Sequence, residues 1–163
     1  MQSQLYIGTP NAVILCIDSI RNCTVCGRMY HLYSREAASF SSWKDALKQM
    51  EGLYNSLDCP RPANNMRSFV GAPQQVTEYI GRKDWTKVMS DDELLNQHGY
   101  LDTFIVRVQH RENSTWQGRI TWADKNKTLS FRSVWEMVHL MEEAISSDAP
   151  AESIDPRQWD AAE

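Results

Sequence analysis

At 163 residues, 42% hydrophobic and with six Trp and six Tyr, the chain suits one packed domain or two small units sharing a core, which excludes wholesale disorder. Its net charge of −4 is uneven: from Ile145 onward, Arg157 stands alone against Asp148, Glu152, Asp155, Asp160 and Glu163. The remainder is near neutral, which argues against a strongly basic nucleic-acid binder and leaves room for a local basic face.

In chain order, residues 1–10 are a lead-in. Residues 12–20 and 25–33 are β-rich runs, with 21–24 as the hairpin loop between them. The stretch SREAAS connects to a helix that Ser42 caps, with Asp45 in its first turn. Ala46, Leu47, Met50, Leu53, Tyr54 and Leu57 form its apolar face. Residues 59–100 read as a connector: Pro60 and Pro62 break the helix, a short helix is expected over 72–80, and another starts at Ser90 with Glu93 and stops at Gly99. Residues 103–111 and 117–124 are two more strands. Ser133 then caps a helix with Glu136 in its first turn and Met137, Val138, Met141, Ala144 and Ile145 on its apolar face.

The second strand–strand–helix stretch repeats the first at an offset of 91, read from Gly118 over Gly27 and Arg119 over Arg28. Asn113 over Asn22, Phe131 over Phe40, Ser133 over Ser42 and Met141 over Met50 keep the same step, which marks an internal duplication. The expected fold class is α+β: two ββα repeats forming a four-stranded antiparallel sheet with two helices on one face and a helical connector between the repeats. Its boundaries are 1–58 for the first repeat, 59–100 for the connector, 101–146 for the second repeat and 147–163 for an acidic, flexible tail, within one compact domain.

Strand alternation aims Phe104, Val106, Val108, Trp116, Ile120 and Trp122 at the helices, and Arg107, Gln109, Arg111, Gln117, Arg119 and Thr121 the other way. The matching outer face of the first repeat (Ile14, Cys16, Ile20, Cys26, Tyr30, Leu32) is far more apolar, so the connector or a partner covers it. The polar second face is therefore the candidate partner-binding surface: Arg107, Gln109, Arg111, Gln117 and Arg119, with Trp116 at the hairpin. Arg and Trp dominate binding hot spots because each buries much area and Arg adds forked donors.

The run RENSTWQGRITW at 111–122, followed by FRS at 131–133, resembles an uncharacterised family of small proteins from anaerobic gut bacteria with an R-x-N-x-T-W-Q-G motif and a later F-R-S that opens a helix. The likeness covers mainly the second repeat and implies kinship without a known activity.

Catalytic chemistry finds little footing. His31, His98, His110 and His139 sit without a Ser, Cys or acid at telling spacing, and there is no Gly-rich phosphate loop. His110 is expected on the core side. Cys23-x-x-Cys26, with His31 or Cys59 as further ligands, is a two-ligand zinc signal that the second copy replaces with Ser114 and Gln117. The reading is a non-enzymatic, cytoplasmic protein-binding regulator or inhibitor with no cofactor, no metal and no membrane contact. One version is a mobile-element inhibitor of a host defence nuclease, anti-CRISPR-like. The alternatives are a nucleic-acid-binding module on the basic face and a zinc-dependent protein using the CxxC.

Overall fold

The structure, a computed structural model, describes residues 4–64, 66–71 and 86–148. Three strands open the chain, β1 (Val13–Arg21), β2 (Thr24–His31) and β3 (Ser34–Phe40), followed by helix α1 (Trp43–Leu57). A short helix α2 (Asp91–Leu95) precedes β4 (Asp102–His110), β5 (Gln117–Trp122), β6 (Lys127–Phe131) and helix α3 (Val134–Asp148). The six strands form one antiparallel sheet in the order β3-β2-β1-β4-β5-β6.

This corrects the expected four-stranded sheet of two ββα repeats: each unit contributes three strands and a helix. The missed strands, SREAASF and KTLSF, sit at the two edges of the sheet, and in each Phe alone is fully buried. An edge strand with so little apolar burial lacks the alternation by which a buried strand is read from sequence.

The offset of 91 persists in the hydrogen-bond register. At the central seam Val13 faces Val106, Ile14 faces Ile105 and Leu15 faces Phe104. Adding or subtracting 91 exchanges the first and third pairs and returns the Ile14–Ile105 pair to itself. A pseudo-twofold axis thus crosses the sheet between Ile14 and Ile105. Both halves carry a bulge at the same step, between Ile17 and Ser19 and between Val108 and His110. In both, glycine lets two strands close: a Cβ on Gly27 would lie 2.0 Å from the Cys16 carbonyl oxygen, and one on Gly118 2.0 Å from that of Arg107. Asn22, Cys23, Asn113 and Ser114 all have positive φ, and the first pair closes the two-residue β1–β2 turn.

The helix starts repeat as well. Ser42 Oγ accepts from the Asp45 amide at 3.1 Å, and Ser133 Oγ from the Glu136 amide at 3.1 Å. Each acid reaches back to the residue before the cap, Asp45 to the Ser41 amide and Glu136 to that of Arg132.

Both long helices pack on one face of the sheet, over Val13, Leu15, Ile17, Phe104, Val106 and Val108. On the outer face Ile14, Cys16, Leu32 and Ile105 are covered by Ile7 of the lead-in, by Ala12 just before β1, and by Met89 and Leu94 of the connector. Ser90 and Glu93 form the expected capping box on α2. The helix expected over 72–80, and the acidic stretch from residue 149 on, lie outside the described residues. No described helix is long and apolar enough to cross a membrane.

Candidate interaction face

The six residues expected at a partner surface separate into two groups. Arg107 and Arg119 pair across β4 and β5 and share the outer face. Arg119 is exposed, and so is Gln109 at the bulge. Arg107 is not: its side chain is sealed beneath the lead-in, leaving the residue 3% exposed. Its guanidinium donates from Nε to the Ile7 carbonyl at 2.7 Å, from one terminal nitrogen to Thr121 Oγ1 at 3.0 Å, and from the other to the Tyr6 carbonyl. The Tyr6 ring lies over it, 4.5 Å from ring centre to guanidinium carbon. All of these acceptors are neutral. Burial weakens this cation's hold on its proton, and neighbouring Arg119 adds to that.

Arg111 and Trp116 belong elsewhere, while Gln117, opposite His110 on the unbulged strand β5, keeps its side of the sheet and is half-buried. The bulge inserts one residue at Gln109, and one extra residue reverses the facing of the residues beyond it. Arg111 therefore turns to the helix side, where it donates to the Pro60 carbonyl at 2.7 Å and to Asn55 Oδ1 at 2.6 Å. Trp116 is buried, its ring edge-on to that of Tyr54 at 5.4 Å. Gln117 braces the hairpin, exchanging hydrogen bonds with the Glu112 backbone at 3.0 and 2.9 Å. His110, expected on the core side, is exposed beside the same bulge.

Strand alternation did not foretell the arrangement on the first half. Arg28 grips Asp18 side-on, Nε to Oδ2 at 2.8 Å and a terminal nitrogen to Oδ1 at 3.1 Å. It also donates to the Tyr30 hydroxyl and to the His98 carbonyl, both at 2.9 Å, while the Tyr100 amide donates to Asp18 at 3.2 Å. The pairing with Arg28 holds the Asp18 carboxyl below its usual range and raises the guanidinium's own pKa. The readable signal was Asp18 and Arg28 as the two charges interrupting an apolar face.

Two further features lie near α3. Buried Asp102 accepts from Trp122 Nε1 at 2.8 Å, and burial, with Asp148 close by, pushes its pKa up to about 6. Beside it a cavity of about 280 Å³ opens between β5, β6 and α3, with Leu129, Leu140 and Ala144 among its walls. It falls just short of the roughly 300 Å³ at which small-molecule sites begin. Cys23 is exposed at its turn, and Cys26 leans on the Ser41 carbonyl. Among the described residues no group of three or more His, Cys, Asp or Glu is placed to hold a metal.

Comparison with family models, with curated proteins and with solved structures returned no match.

Proposed function

We propose that this chain is a non-enzymatic protein-binding regulator or inhibitor that docks another protein on the second half of the sheet's outer face. One observation carries the reading: Arg107 is buried on neutral acceptors next to exposed Arg119, and no ion pair among the described residues includes either. Two adjacent cations that no described carboxylate pairs create a positive potential, strengthened where burial lowers the effective dielectric, and such a patch draws an acidic surface. The narrower version, a mobile-element inhibitor of a host defence nuclease, is one member of this class.

The test is capture of proteins from lysate by the immobilised full chain, compared with Ser130→Trp. Ser130 is exposed and pairs with Arg119 across β5 and β6, so the new ring stands on the same face. We expect a captured protein that Ser130→Trp loses. Equal capture by both, or none by either, rejects the reading. The rival partner, nucleic acid, would use the same cations; capture abolished by nuclease and falling steeply with salt would establish it instead.

A further inference from the structure

Arg119 is an exposed cation that pairs with no acid among the described residues, and the ligand inferred for it rests on the preceding reading, whose partner it narrows. The pseudo-twofold superposes two guanidinium sites, so the molecule contains its own control. By the offset of 91, Arg119 stands for Arg28, Gln109 for Asp18, Thr121 for Tyr30, Ile7 for His98 and Thr9 for Tyr100.

In the first half the cation is satisfied on every side: two contacts to the Asp18 carboxylate, one to the Tyr30 hydroxyl and one to the His98 carbonyl. In the second half none of the equivalent groups accepts from Arg119 among the described residues. The carboxylate has become the amide of Gln109. The Thr121 hydroxyl and the Ile7 carbonyl both accept from Arg107 instead, at 3.0 and 2.7 Å. Thr9, which stands where the Tyr100 amide meets Asp18, keeps a buried hydroxyl with no hydrogen-bond partner among the described residues. Arg119 and Gln109 remain exposed.

We propose that the second half takes from a partner protein the carboxylate that Asp18 supplies in the first: an Asp or Glu on a partner loop seats side-on against the Arg119 guanidinium, beside Gln109. The Asp18–Arg28 pair is the geometric template. The forked donors of arginine match a carboxylate in two parallel hydrogen bonds, which fixes orientation as well as charge. Buried Arg107 behind the site adds attraction for an anion without competing for it, because its own donors point to Ile7, Tyr6 and Thr121.

Gln109→Asp tests this in the full chain, since it restores the acid of the first half. The variant should close the site on itself, slowing exchange of the Arg119 Nε proton as Asp18 protects that of Arg28. It should also reduce capture of the partner by roughly tenfold or more, as should Arg119→Glu. An Arg119 Nε proton that stays unprotected in Gln109→Asp overturns the template geometry. Capture retained by Gln109→Asp and Arg119→Glu but lost in Ser130→Trp leaves the docking face standing and overturns the carboxylate. Inorganic phosphate that protects the wild-type Arg119 Nε proton at a concentration where acetate does not also overturns it, in favour of a phosphate ligand.

Discussion

Asp102 and Asn11 hold equivalent places in the two halves, and the difference between them is one ionisable oxygen. Asn11 donates to the Val108 carbonyl at 2.7 Å and to that of Cys59 at 3.2 Å, whereas Asp102 accepts from the Trp122 indole. With a folded pKa of about 6 against an unfolded value near 3.9, Asp102 keeps a proton on folding that the unfolded chain releases. Its contribution to stability is full below about pH 4 and is lost as the pH rises through 6. Asp102→Asn should abolish that decline and make the protein more stable at pH 8, by on the order of 1–3 kcal/mol. Urea unfolding at pH 4, 6 and 8 reads it directly; parallel pH profiles for the two proteins would refute the assignment. The outer-face arginines show the limit of sequence at this scale. Alternation placed Arg107 and Arg119 on one face, and they share it. It misplaced Arg111, because nothing in QHR announces the bulge that reverses it.

At the scale of the element, the paired caps invite a direct comparison. Ser42→Ala and Ser133→Ala each remove one hydroxyl acceptor from an equivalent amide, so each should cost about 1 kcal/mol by chemical denaturation. Unequal losses would mean that the two helix starts differ in ways their geometry does not reveal. The cavity against α3 has a similar logic. Leu53 occupies in α1 the place that Ala144 holds in α3, and Ala144 is one of the cavity's walls. Ala144→Leu should fill it and raise stability by about 0.5–2 kcal/mol; a loss instead would indicate that the walls cannot accommodate the added atoms. Helices were the most legible elements here, since cap residue and apolar stripe both survive in the letters. Edge strands were the least, since SREAASF and KTLSF face mostly water and carry no pattern that burial would impose.

For the whole molecule, the seam between β1 and β4 decides whether the halves act as one body. Ile14 and Ile105 lie at the axis, each 1% exposed, beneath a layer drawn from both lead-in and connector. Ile105→Ala is expected to cost about 2–5 kcal/mol and to speed amide exchange in β2 as much as in β5. Exchange accelerated in the second half alone would mean two separately folding units. The duplication was visible in the letters because Gly, Phe and Ser at fixed spacing serve backbone needs that both halves share. The site was less visible, because it depends on which carbonyls the lead-in presents to Arg107, and no local pattern encodes that.

Symmetry of this kind is what a pair of identical subunits would have if each β1 edge met its mate. A self-associating ancestor would have displayed every surface twice, and any ligand fitted to one copy would have met the other as well. A single polypeptide carries no such obligation: Arg28 pairs with Asp18, whereas Arg119 forms no ion pair among the described residues. Under the proposed docking each molecule offers one such site, so a titration with the captured partner should saturate at one to one.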